Sequence, residues 1–381
     1  HVGDADVVTH LVLGDLGPRG APCLVARLQV EAAYRRGDIR LYLRTNSDLQ
    51  RELDNWDHLT SLHEGYVSWT PRTGLGLDVG KKVMRWGTGY SWSPVAFIER
   101  PKDPDDPELP REGFFLLSAD RVTTRPATLQ TVGLTLVLLP VAGDIGSDFG
   151  DEPGLNAAGK LYLLYADTDI DILALAGPSQ PTRLGFDFAR NLEPHFEVHG
   201  EYAYAPAEDR SWVTAEGEIL TARGRVHRGL LGLRYLTASE TTYIVEYQYN
   251  GAGASASEIE DLFEFISAAD AHFVETGDDS LLRRARWLNQ ELYSDRPLGR
   301  HYLYTRVSQR EPWSILYLTT AATLQCNLSD GSFSLTPEAT YARHADWELR
   351  LRAALLVGAD RSEFGEKPGR YRLDLRLRRL F

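Results

Sequence analysis

The chain has 381 residues, 41 basic against 54 acidic side chains and a formal net charge of -13, a balance that argues against a nucleic-acid partner. It contains no apolar run approaching the ~18 residues of a membrane-spanning helix. Its two cysteines, Cys23 and Cys326, exclude a disulfide framework and a cysteine-based metal site.

What the sequence does contain is period-two alternation, the signature of strands with one apolar and one polar face. Val7 to Leu13 forms a weak first strand. Residues 22–36 and 38–48 then pair across Gly37-Asp38, 59–72 and 75–87 across Pro71-Arg-Thr-Gly74, and 112–123 and 126–140 across Arg125-Pro126. Residues 157–167 and 169–177 pair across Asp167-Thr168-Asp169, followed by 182–190 with 196–206, 227–238 with 241–250, 301–309 with 314–325, 332–343 with 346–359, and a last strand at 370–381. The turns within pairs are short and the connections between pairs are often long. A mean hydropathy of -0.31 does not oppose a membrane barrel, because only every second residue meets lipid. The expected fold is all-β: one transmembrane antiparallel β-barrel over 1–381, of about eighteen strands with sixteen as the alternative, and both termini periplasmic. The chain starts at His1, as a processed or trimmed chain would.

The long connections are read as extracellular loops, and two of them stand out. Residues 88–111 are proline-rich, which forbids regular structure. Residues 251–300 are expected to hold short helices, the first opened by a capping box at Ser257 and Glu260 and running through Ile259, Phe263 and Ile266. The second starts at Asp279. This loop is read as either a lid over the pore or an outer ornament.

Parity assigns the faces. It places Arg27, Arg40, Arg44, Arg350, Arg352, Arg372, Arg376 and Arg378 on the lumen side of strands that adjoin across the closure of the barrel. Asp187, Glu197, Glu201 and Glu246 face inward on the far wall, beside His199, which has no second metal ligand near it. Opposed walls of unlike charge would set a field across the pore, and guanidinium groups suit anionic solutes. Outward Tyr34, Trp69, Tyr165, Tyr202, Tyr204, Tyr235, Tyr341 and Trp347 sit near strand ends, as interfacial girdles require.

The closing strand puts Tyr371, Leu373, Leu375, Leu377 and Phe381 on one face. It resembles the C-terminal assembly signal of bacterial outer-membrane β-barrels. The segment Gly80-Lys-Lys-Val-Met-Arg-Trp-Gly-Thr-Gly-Tyr-Ser-Trp-Ser-Pro94 is similar to an element of alginate-export-type and related porin-like channel families. That resemblance implies a roughly eighteen-stranded barrel with an arginine-rich lumen that passes anionic sugars or other small molecules. By position, Lys82, Arg85, Trp86 and Tyr90 would line the outer mouth. Strict parity puts Lys81 and Arg85 on the lipid face, so a bulge or an early end of the embedded strand is expected there.

The expected function is an outer-membrane channel for small anionic solutes, with lipid and the solute as its partners and no cofactor or metal. The alternative is a scaffold or translocation partner for a periplasmic protein, a cytochrome, or a lipid or polymer export system. The chain has no Cys-x-x-Cys-His of its own, so any haem would belong to that partner. An enzyme is not expected: Asp57, His58 and His63 lie near one another, but no nucleophile is specified beside them.

Overall fold

The alternation turns into eighteen strands, each hydrogen-bonded to its neighbours in sequence. In this computed structural model residues 8–16, 22–52, 55–293, 297–344, 346–367 and 369–380 are described. Val7, Phe381 and the side chain of Cys23 lie outside the described set, and with them any Cys23–Cys326 pairing; Cys326 has no disulfide partner among the described residues.

The strands are β1 (Val8–Leu16), β2 (Pro22–Arg36), β3 (Ile39–Glu52), β4 (Asn55–Arg72), β5 (Leu75–Lys82) and β6 (Phe114–Thr124). Next come β7 (Leu129–Val141), β8 (Gly154–Tyr165), β9 (Thr168–Ala176), β10 (Arg183–Glu193), β11 (Phe196–Val213) and β12 (Ile219–Leu236). The last third holds β13 (Thr241–Asn250), β14 (His301–Arg310), β15 (Leu318–Asn327), β16 (Phe333–His344), β17 (Trp347–Val357) and β18 (Tyr371–Leu380). All pairings are antiparallel, and β1 pairs with both β2 and β18, which closes the sheet. Closure removes the free edges whose unpaired backbone groups lipid cannot satisfy. With eighteen strands, the first and last described residues fall at the same end, the end of the short turns.

The outer face is apolar, as parity requires: Leu41, Val67, Leu136, Ile172, Leu231 and Leu351 are all exposed. Tyr34, Trp69, Tyr165, Tyr235, Tyr341 and Trp347 lie exposed within a few residues of the short turns and form one girdle. Tyr202 and Tyr204 stand toward the long-loop end.

Three local features depart from the sequence reading. β11 and β12 reach Val213 and start at Ile219, so 207–226 is a tall hairpin rather than a long loop. Above the bilayer both of its faces are wet, and apolar alternation has no reason to persist. β5 stops at Lys82, so Arg85 is not on a strand and its parity conflict disappears, while Lys81 remains at the end of β5, buried and paired with Glu112. In the 251–300 loop, helix α1 (Ala256–Thr276) is capped by Ser255 and Glu258, two residues before the expected box. The earlier box is selected because it lets Ala254 and Ile259, both buried, staple the helix entry. Helix α2 (Ser280–Tyr293) follows. The helices pack on the tall end of β11 through Val213, Ile259, Leu262, Phe265 and Leu288, and Arg284 donates from Nη2 to the Gly217 carbonyl at 2.7 Å.

Candidate functional site

Residues 83–113, between β5 and β6, fold into the lumen and cross it from one charged wall to the other. The segment expected as an outer loop is therefore the internal structure of the barrel. Its path follows from three kinds of contact.

The first is apolar. Trp86, Val95, Phe97 and Ile98 are buried against inward-facing Leu139, Leu173 and Leu175 of β7 and β9. Trp92 packs on Tyr302 and Tyr304 of β14, with ring centroids 5.7 and 5.9 Å apart. One side of the lumen is thus a packed core instead of a water-lined wall.

The second contact uses the acidic wall. Glu201 on β11 accepts the backbone N–H of Thr88 and Gly89 at 2.6 Å and of Val95 at 3.2 Å, together with the Ser93 hydroxyl at 3.0 Å. Glu246 on β13, fully buried, accepts from the N–H of Tyr90, the N–H of Ser91 at 2.8 Å and the Ser91 hydroxyl, and it lies 2.9 Å from His199 Nε2. Successive N–H groups converging on a carboxylate form an anion nest. This arrangement accounts for the Gly-Thr-Gly-Tyr-Ser-Trp-Ser sequence. Gly87 has φ +88, and a Cβ at Gly89 would lie 2.1 Å from the Trp92 carbonyl and 3.2 Å from Glu201.

The third contact is with the arginines. Asp106 sits among Arg350 at 2.6 Å, Arg352 at 3.6 Å and Arg376 at 3.8 Å. Asp105 reaches Arg372 at 3.2 Å, and its carbonyl accepts from Arg352 Nη1 at 3.0 Å. Burial would push the Asp106 carboxyl up, but the Arg350 hydrogen bond and the charges of Arg350, Arg352 and Arg376 outweigh it and hold it below its ordinary value. Burial dominates for Glu99, whose carboxyl is raised although Arg111 stands 2.6 Å away. Burial likewise lowers the Lys102 ammonium, which donates to the Gly89 carbonyl.

Of the eight expected arginines, Arg27, Arg40, Arg44, Arg350, Arg376 and Arg378 line the cavity described below, and Arg352 and Arg372 reach Asp105 of the loop. Arg350, Arg352, Arg372 and Arg376 gather on the loop's aspartates. Arg27 is paired with Asp48 at 2.7 Å, and Arg44 with Glu64 at 3.3 Å. Arg40 lies over the Tyr42 ring, and neither Arg40 nor Arg378 has a carboxylate partner among the described residues. The expected acids do not form one open wall. Glu201 and Glu246 anchor the loop, Glu197 lies 3.5 Å from His199 Nδ1, and Asp187 is buried opposite Asp171 and Glu201 with its Oδ2 unpartnered among the described residues.

The outer-mouth motif is relocated as well. Lys82 pairs with Asp78, Trp86 is buried, Tyr90 packs on Tyr304 at 6.0 Å, and Arg85 is exposed to the cavity described next. No group of three His, Cys, Asp or Glu side chains among the described residues is placed to hold a metal.

On the short-turn side of the loop is a cavity of about 1860 Å³. Its position follows from its lining, which includes Arg40, Thr242, Thr319 and Glu348 just after short turns, Leu236 and Arg310 just before them, and Arg378 near the end of β18. Thirteen lysine or arginine side chains line it against eight acidic ones. Sequence parity missed Arg234, Arg306 and Arg310, which were legible as inward positions on β12 and β14; Arg85, expected at the outer mouth, reaches the cavity through the loop's inward turn.

No protein-family model and no curated protein matches the chain. Solved structures do. OccAB1 of Acinetobacter baumannii aligns with a TM-score of 0.55 at 9% identity, over 99% of this chain and 94% of that one. OccK5 (OpdH) of Pseudomonas aeruginosa aligns at 0.50 and 11% identity, over 99% and 95%. Wzi of Escherichia coli, a carbohydrate-binding β-barrel involved in group 1 capsule assembly, aligns at 0.54 and 9%, over 100% and 85%. The likeness is one of fold: that of outer-membrane porin-type barrels. It supports the porin-like part of the resemblance drawn from residues 80–94 and gives no support to the alginate-export-type part.

Proposed function

We propose that this protein is a channel of the bacterial outer membrane that passes small anionic solutes, with the short turns and both termini on the periplasmic side. The observation that carries the reading is the sign of the cavity. Basic side chains outnumber acidic ones there by thirteen to eight in a chain whose net charge is -13. A basic cavity with low-dielectric walls concentrates anions and excludes cations. Residues 83–113 narrow the passage, and Arg40, Arg85 and Arg378 supply the positive charge that the protein's own carboxylates leave unneutralised.

The test is reversal potential in planar bilayers under a KCl gradient. Replacing Arg40, Arg85 and Arg378 together by Gln is expected to lower the chloride-to-potassium permeability ratio by about tenfold. A ratio that stays put would remove the anion reading and leave a channel of another selectivity.

A second reading, a scaffold for a periplasmic protein, is favoured by one observation. The turn between β14 and β15 displays Trp313, Ile315, Leu316 and Tyr317 exposed, with Trp313 at 82%. Other short turns are polar, as at Gly37-Asp38 and at Ser239-Glu240. If this turn docks a partner, Trp313→Ser will abolish co-purification of that partner without altering conductance. Unchanged co-purification would leave the turn as an anchor in the membrane interface.

A further inference from the structure

Above the lipid belt, the outer face of β12 carries an ordered column of side chains. Odd-numbered residues of this strand point outward, because Arg228 reaches inward to buried Glu208. Rising toward the long loops, the outward positions are Leu231, Gly229, His227, Arg225 and Arg223. The lowest is apolar and lipid-exposed, the next has no side chain, and the upper three are polar or cationic.

Gly229 is the floor of a recess. It stands directly opposite Tyr202 on β11 and Tyr249 on β13. A Cβ built on it meets nothing nearer than the Glu201 carbonyl at 3.7 Å, so the space outside it is open. The walls are aromatic and follow a repeated design. His227 lies opposite Tyr204 and 2.7 Å from the hydroxyl of Tyr202, while His301 lies opposite Tyr249 and 2.7 Å from the hydroxyl of Tyr247. A tyrosine hydroxyl that donates to Nδ1 leaves the imidazole's hydrogen on Nε2, and neither Nε2 has a hydrogen-bond partner among the described residues. Arg225 is exposed and has no ion pair among the described residues, and Arg223 reaches Asp209 only at 3.9 Å with both side chains well exposed.

We propose that this column binds a phosphorylated membrane lipid of the leaflet at the long-loop end. An acyl chain lies against Leu231 and over Gly229 between the tyrosine rings, and the phosphate takes the His227 N–H and the Arg225 guanidinium. The recess is continuous with the lipid-facing belt to which Leu231 belongs. A ligand that covers both Leu231 and His227 therefore has an apolar part inside the bilayer and an anionic part at its surface. The inference depends on the membrane setting of the barrel and is independent of which solute crosses the lumen.

Native mass spectrometry of the delipidated full chain in detergent tests it, with dioleoyl phosphatidic acid as the probe, dioleoylglycerol as its uncharged counterpart and inorganic phosphate as competitor. One phosphatidic acid is expected to be retained where dioleoylglycerol is not, and inorganic phosphate at equal concentration is not expected to displace it. Arg225→Gln with His227→Gln should weaken retention about tenfold. Gly229→Leu, which fills the recess and leaves the charges, should weaken it as well; far-UV circular dichroism checks that each variant is folded. Equal retention by wild type and both folded variants overturns the proposal. Equal retention of dioleoylglycerol overturns it too, as does displacement by inorganic phosphate, which would mark an ion site without a lipid.

Discussion

Glu201→Ala is expected to unseat residues 88–95 from the lumen wall and to raise single-channel conductance. The carboxylate accepts three backbone N–H groups and one hydroxyl, all from the loop. Hydrogen bonds to a charged acceptor contribute roughly 1.5–3 kcal/mol each, and donors left buried without an acceptor cost about 1–3 kcal/mol. Even with heavy discounting for water that enters, the seated state loses at least about 3 kcal/mol. That shifts the seated-to-released ratio by about a hundredfold. Glu201→Gln should fall between, since its amide keeps one acceptor oxygen but turns an NH₂ toward the same donors. Hydrogen exchange across 88–95 reads seating directly, and conductance reads its effect on the pore. Slow exchange across 88–95 in the alanine variant would mean that Glu246 and the apolar contacts of Trp86, Phe97 and Ile98 hold the loop without Glu201.

At the opposite wall, Asp106→Asn is expected to raise the chloride-to-potassium permeability ratio, because the arginines keep their charge and lose the carboxylate they share. Arg352 retains Asp374 at 3.1 Å and Arg376 retains Glu348 at 3.3 Å, whereas Arg350 is left with Glu338 at 3.9 Å. Removing one partner of a buried pair costs about 3–5 kcal/mol. That cost falls on loop seating; the unneutralised guanidinium charge is what should raise the ratio, by up to about tenfold.

The same group sets an acid response. The Asp106 carboxyl titrates below its ordinary value of 3.8, so its contribution to loop seating is complete above 3.8 and is lost as pH falls through the lower, folded-state value. Glu99 and Asp103 are raised, by burial in both cases and also by Asp105 for Asp103, and they take up protons earlier on the way down. Wild type should therefore undergo an acid transition below 3.8 that is absent from Asp106→Asn. If the variant shows the same transition, another carboxyl is responsible.

Much of the fold was legible because lipid enforces it. The outward residues Ile39, Leu41 and Leu43 of β3, Trp347, Leu349 and Leu351 of β17 and Leu373, Leu375 and Leu377 of β18 alternate with inward arginines and acids, so strand, face and neighbour could be read locally there. The tall halves of β11 and β12 were illegible for the reverse reason: residues 207–226 stand clear of the apolar solvent that would have patterned them. The loop's destination was also hidden, since its carboxylate partners belong to strands far along the chain. Two signals did point to it. Leu173 and Leu175 face inward while Ile172 faces lipid, so β9 is apolar on both sides and something apolar covers it from within. The glycine and serine spacing of 87–93 is that of a backbone nest, which calls for an anion. Either signal, taken with inward Glu201 and Glu246, would have moved 88–111 from the exterior to the lumen.

The way the loop is fastened also dictates when it can arrive. Gly89 and Glu201 are separated by 112 positions, Ser91 and Glu246 by 155, and Asp106 and Arg350 by 244. These anchors lie on β11, β13, β17 and β18, which come to face a common interior only once β18 has paired with β1. A segment made early in synthesis must therefore wait for the last strand. The loop is expected to be fastened along its whole length only once the barrel has closed, which would make the final bore of the pore a late product of folding.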